Sequence, residues 1–148
     1  MNWNLIREEA SLMLSDYLKV NTSNPPGREL AACKWLSEIF IREQIEYKII
    51  NSAVDRGNLI ADINPDLPVS NKVILLNHTD VVPAIKEDWT VDPFSGLIKD
   101  GFVHGRGAID MKGMAIIELM TLILLKRNNY LKRNIVFMAT ADEESGSE

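Results

Sequence analysis

Apolar positions along the chain fall into two patterns. In one they recur every three or four residues. Leu5, Ile6, Leu12, Met13, Leu14, Tyr17 and Leu18 predict an amphipathic helix over 3–20. Leu30, Ala31, Trp35, Leu36, Ile39 and Phe40 predict a second over about 28–44. The segment NTSNPPG at 21–27 separates them, because two prolines and a glycine cannot continue a helix. In the other pattern apolar residues run together. The runs at 73–76 and 135–139 have strand length and no polar alternation, as strands buried on both faces do. Shorter strands are predicted at 47–51 and 58–63, divided by a turn at Arg56-Gly57, with a loop at 64–68. Leu97–Lys99 and Phe102–His104 flank Asp100-Gly101, a two-residue hairpin signal. The last helix is predicted over about 112–127. Helices and apolar strands alternate, so the expected class is α/β, with a mostly parallel central sheet and helices on both faces.

Composition narrows the function classes. The chain has 148 residues, 46% hydrophobic and 25% charged, enough for one domain with a core. A formal net charge of -5 gives no basic footprint for nucleic acid or an anionic membrane, so neither is expected as a partner. Cys33 is the single cysteine, so no disulfide forms within the chain and a reducing compartment fits. The start, MNWNLIREEASL, lacks the basic and apolar regions of a signal peptide. The apolar segment 114–125 is too short to span a bilayer. A cytoplasmic location is expected. The sequence stops soon after an apolar strand, and the expectation is a fragment.

The strands point to candidate chemistry. In open α/β sheets ligands bind beyond the carboxyl ends of the strands. The run at 73–76 leads into His78 and Asp80, which share a strand face if the strand continues. The run at 135–139 leads into Asp142, Glu143 and Glu144. A third cluster, GRGAID at 105–110, is a glycine-rich turn ending in Asp110 just before a helix. One imidazole and several carboxylates suit a divalent metal. Each piece also has a plainer reading: His78 and His104 as hydrogen-bonded structural residues, Asp110 as a helix N-cap, Glu143-Glu144 as a solvated pair, and Asn24-Pro25-Pro26-Gly27 as a rigid turn.

Three ordered motifs carry a resemblance. HTDVVP at 78–83, WTVDPFSGLIKDGFVHGRGAIDMKG at 89–113 and ADEESGS at 141–147 resemble the dinuclear zinc amidohydrolases and metallopeptidases. That family includes aminoacylase, acetylornithine deacetylase, succinyl-diaminopimelate desuccinylase and glutamate carboxypeptidase. The resemblance implies a zinc-exopeptidase-like fold, of which residues 1–148 form the N-terminal portion of the catalytic domain. It implies two zinc ions per complete site, with cobalt or manganese as substitutes. It makes His78, Asp110 and Glu144 metal ligands, with Asp110 bridging. It makes Asp80 the carboxylate that orients His78, and Glu143 the general base. The implied substrate is an N-acyl amino acid or a short peptide. Two open alternatives are a di- or tripeptide exopeptidase in place of a deacylase, and a non-catalytic module that keeps the fold. The family's remaining metal ligands and its lid domain lie beyond residue 148, so little activity is expected of this form. Self-association through an exposed sheet edge is expected as well. Met114 stands where the family usually has glycine, and a shifted helix start is expected there.

Overall fold

The computed structural model describes residues 1–64, 66 and 72–146. Most of the loop expected at 64–68 and the end of the third motif therefore lie outside the described residues.

Helix α1 (Trp3–Leu18) begins at Asn2, whose side chain accepts the Asn4 N–H at 3.1 Å. Helix α2 (Glu29–Arg42) packs beside it, with Tyr17 stacked on Trp35 at 4.5 Å. Strands β1 (Lys48–Ala53) and β2 (Arg56–Ile63) follow as a hairpin. The turn is not at Arg56-Gly57, since both of those residues already pair with β1. It lies at Val54-Asp55, where Asp55 adopts φ 58°, a conformation that aspartate tolerates better than most side chains. Next come β3 (Val73–His78), the small hairpin of β4 (Leu97–Lys99) and β5 (Phe102–His104), helix α3 (Lys112–Arg127) and β6 (Ile135–Thr140).

The main sheet runs β1-β2-β6-β3. It is a mixed sheet: β3 and β6 pair parallel across α3, while β1–β2 and β2–β6 are antiparallel. The apolar runs announce the central parallel pair but not its partners, because β2 buries one face only and still pairs with β6. The expectation of helices on both faces needs correction. Leu59, Ala61, Phe137 and Ala139 face a core filled by Leu36 and Phe40 of α2 and Leu119 and Ile123 of α3. On the opposite face Ile74 and Leu76 are 57% and 55% exposed. The physical reason is topological. Among the described residues α3 makes the only crossover between parallel strands, and one crossover covers one face. Among the described residues no strand pairs with the outer edge of β3. No helix among them is long and apolar enough to cross a membrane.

Two tethers aim these elements at the carboxyl end of β3. The α1–α2 connection runs alongside the chain that leaves β3: Thr22 Oγ1 donates to Thr79 O at 2.6 Å, and Asn24 N to Val81 O at 2.9 Å. The second tether is Lys112, fully buried, whose Nζ donates to Val20 O at 2.6 Å and Tyr17 O at 3.3 Å and sits 4.6 Å from the centre of the Tyr17 ring. Burial pushes its ammonium down to about 7. Lys112 thus pins the first turn of α3 to the end of α1. Met114 does not shift that start: α3 begins at Lys112 and Met114 is 47% exposed.

Candidate metal centre

His78 is the last residue of β3 and is buried. Its Nδ1 faces Asp80 twice, 3.1 Å from the backbone oxygen and 3.4 Å from Oδ1. Acceptors on that side hold the hydrogen at Nδ1, so Nε2 is the nitrogen presented outward, able to bind a metal once its own proton is lost. Nε2 lies 3.0 Å from Asp110 Oδ1 and 3.8 Å from Glu143 Oε2. The backbone carbonyl is therefore at least as close an orienting partner as the Asp80 carboxylate.

Asp80 itself is fully buried. Its oxygens accept the Asn24 amide at 2.9 Å and the backbone N–H groups of Glu143 at 3.2 Å and Glu144 at 2.9 Å. Burial raises its pKa, but the bonds from His78, Asn24, Glu144 and Glu143 outweigh burial and hold it well below the usual carboxylate range. Asp80 is thus the hub that fixes the ends of two parallel strands to each other. In His78 burial works against the charge, and the bonds to Asp80 and Asp110 overcome it, raising the imidazole to about 9.

Asp110 arrives from the turn between β5 and α3. The Gly105–Asp110 stretch closes with Gly107 at φ 86°, where an added Cβ would lie 2.6 Å from Val81 Cγ1. Glycine is needed for both the φ and the contact. Asp110 is not the N-cap of α3: the capping position is Met111, and no side chain caps it. Its carboxylate is 74% exposed and turned to His78 instead. Glu143 and Glu144 follow β6. Glu144 is pushed up by burial and by the charges of Asp110 and Asp80, against the pull of His78. One ligand atom each from His78, Asp110 and Glu144 lie within 4.8 Å of one another. A neutral imidazole nitrogen and two carboxylates are a donor set that zinc accepts. The mutual crowding of carboxylates is what a cation would relieve, so the residues fit a metal.

All five predicted residues come together: His78, Asp80, Asp110, Glu143 and Glu144. His104 stays apart, edge-on to Phe102 in the small hairpin. Residue-by-residue reasoning missed Asn24, Arg56 and Glu29, which lie directly behind Asp80 and Asp142. The signal for Asn24 was its place in Asn24-Pro25-Pro26-Gly27, a stretch that could line a pocket but that the two prolines favoured as a rigid turn.

A pH dependence follows for the metal-free chain. Asp80 is depressed in the folded state, so its stabilisation is full above its unfolded value and is lost as pH falls through the lower folded value. His78 is raised to about 9, so its stabilisation is full below about 6.5 and is lost as pH rises through 9. The depressed ammonium of buried Lys112 works the other way above about 7 and offsets the His78 loss there. The clear expectation is therefore on the acid side: denaturant midpoints in chelator fall as pH drops below about 4. A midpoint that stays level as pH falls from about 5 to about 2.5 would contradict this.

The signature of Peptidase family M20/M25/M40 matches residues 74–148, just over half of the chain and the part that carries all five residues. The chain belongs to this family. Among curated relatives, proteins named probable succinyl-diaminopimelate desuccinylase from Staphylococcus epidermidis and Staphylococcus aureus are each 34% identical over 143 residues. Those alignments cover 95% of this chain and 34% of the relative. An N-fatty-acyl-amino acid synthase/hydrolase of Bos taurus is 46% identical over 79 residues, 52% of this chain and 15% of that protein. The chain thus spans about a third of the length of the staphylococcal relatives it matches. Among solved structures, an M20 family metallo-carboxypeptidase from Sulfolobus solfataricus superposes with a TM-score of 0.82 at 25% identity. It covers 94% of this chain and 32% of that one. Human carnosine dipeptidase 1 shares the fold, with a TM-score of 0.74 at 23% identity over 97% of this chain and 34% of that one. As an M20-family chain, this protein carries its cluster of histidine and carboxylates in a metallopeptidase fold.

Proposed function

We propose that this M20-family chain supplies a zinc site for hydrolysis of amide bonds in N-acyl amino acids or short peptides. His78, Asp110 and Glu144 would hold the metal, Asp110 would be the ligand common to a pair of ions, and Glu143 would be the general base. The observation that supports this most is the convergence on His78 Nε2 of carboxylates from two other segments, with Asp80 behind the ring. When bound, the metal supplies a Lewis acid for the scissile carbonyl and lowers the pKa of water toward neutrality.

The chain's own residues do the rest. Asp80 fixes the His78 tautomer and, through the two backbone N–H groups, holds Glu143 and Glu144 in fixed directions. Glu143 Oε2 is 3.8 Å from His78 Nε2, and the Glu143 side chain is largely exposed. It takes a proton from the attacking water and returns it to the departing amine. Glu144, next to it, stays free to act as a ligand.

The test is amine release from N-succinyl and N-acetyl amino acids and from dipeptides, with zinc added and protein in excess over substrate. Slow zinc-dependent release is expected, and Glu143→Gln should lower it by about 10²–10⁴-fold with zinc affinity kept. Equal rates in the two proteins would overturn the role of Glu143. Zinc binding with no release in either would favour the non-catalytic alternative. The relatives' names divide between release of an acyl group and cleavage of a peptide. The substrate panel separates the two.

A further inference from the structure

Behind the proposed ligands lies a polar cluster that the mechanism above does not use. Asn24 is 1% exposed, and its amide is bonded on both sides. Nδ2 donates to Asp80 Oδ2 at 2.9 Å and to Asp142 Oδ1 at 2.8 Å, while Oδ1 accepts from Arg56 Nη2 at 2.7 Å. Arg56, the first residue of β2, also donates to Pro26 O at 3.0 Å, pairs with the Asp142 carboxylate and lies 4.0 Å from Glu29. Glu29 is fully buried, and neither of its oxygens accepts a hydrogen bond among the described residues. One guanidinium therefore faces Glu29 and Asp142 directly and Asp80 through Asn24.

We propose that Asn24 and Arg56 are positioning residues of the metal site: they clamp Asp142 to Asp80 and thereby set where Glu143 and Glu144 point. The inference rests on the proposed ligand set. Asp80 ends the β3 segment and Asp142 ends the β6 segment, and both are anionic. Left to themselves they repel, and Asp142 is the residue immediately before the base and the ligand. A primary amide with two donors can hold two carboxylates at once, which no carboxylate or hydroxyl in its place can do. The Arg56 fork fixes the amide's orientation from its acceptor side and neutralises the cluster. Lysine keeps the charge but cannot reach Asn24, Pro26 and Asp142 together. None of the proposed ligands belongs to this cluster, so its effect passes through Asp80 and Asp142.

The test uses the 148-residue chain and Co²⁺ as the probe. Affinity and the visible absorption band of bound Co²⁺ are measured for the chain and for Asn24→Ala, Arg56→Met and Arg56→Lys, with metal-free melting temperatures alongside. Asn24→Ala and Arg56→Met are expected to weaken Co²⁺ binding by about 10–100-fold and to shift the band while the metal-free chain stays folded. Arg56→Lys should recover part of the affinity but not the band. Folded variants with unchanged affinity and band would reduce the cluster to a stabilising network and overturn the inference. Should Asn24→Ala not fold, Arg56→Lys carries the same reading, and an unchanged band there overturns it. Failure of the unaltered chain to bind Co²⁺ would overturn the ligand set itself. Normal binding that the variants leave untouched would overturn only the clamp.

Discussion

Replacing Asp80 by alanine is expected to destabilise the chain by about 3–5 kcal/mol, the range seen when one partner of a buried charged pair is removed. The size follows from what the carboxylate holds. It accepts the Asn24 amide and two backbone N–H groups and faces His78, and no solvent reaches it to replace any of them. Each donor left buried and unpaired costs roughly 1–3 kcal/mol. Against a typical domain stability of about 5–15 kcal/mol this is a large fraction. The variant should show a much lower denaturant midpoint, and its folded fraction should bind zinc weakly, because His78, Glu143 and Glu144 lose their common support. Asp80→Asn should cost less but not little: the backbone N–H groups of Glu143 and Glu144 bond to different oxygens, and the one replaced by NH₂ would face a donor. A midpoint within the range of an ordinary surface substitution would contradict the role of Asp80 as a hub.

Gly113→Ala should be the second severe change. An added Cβ would lie 2.2 Å from the backbone oxygen of Ala108, and that oxygen is not the end of a flexible side chain. The turn must move away from α3, at a cost of about 1–3 kcal/mol for overpacking. The same turn delivers Asp110 two residues later, and Lys112 pins the helix start, so the helix cannot retreat instead. Zinc affinity is therefore expected to fall along with thermal stability. The informative comparison is Met114→Gly. Met114 points outward, so this change should cost roughly 1 kcal/mol of helix propensity and leave metal binding alone. A Gly113→Ala chain with unaltered stability and affinity would show that the turn does not depend on this contact.

The positions of the helices and strands were legible because each follows from a short-range period that the fold does not override. The 3.6-residue spacing in α1 and α2 marks the sides they bury, and the unbroken runs mark β3 and β6 as strands, although the β3 run overstates burial, since Ile74 and Leu76 stay exposed. Strand direction was not legible. β2 reads as a half-buried strand whichever way it runs, and its antiparallel pairing with β6 depends on where the Val54-Asp55 turn sends it. The covered and open faces of the sheet likewise depend on connections rather than on any strand's own pattern.

Within the site, His78 and the Glu143-Glu144 pair could be found because each lies at the end of an apolar run. Asp110 needed the turn motif, since a carboxylate before a helix is by default a cap. Asn24 and Arg56 stayed hidden for a different reason. Their significance lies in distances across the chain, from Asn24 to Asp80 and Asp142 and from Arg56 to Asp142, that no local pattern encodes. Residues that hold ligands in place look ordinary in sequence, because what they recognise is another part of the same molecule.

The central claim, that one bridging carboxylate organises a metal site with His78 and Glu144, is tested most directly by counting ions. Equilibrium titration of the chain with Zn²⁺, read by metal analysis of the dialysed protein, should give two ions per chain, and Asp110→Ala should remove both while leaving the fold intact. Zero ions, or a single ion that Asp110→Ala leaves bound, would contradict the account.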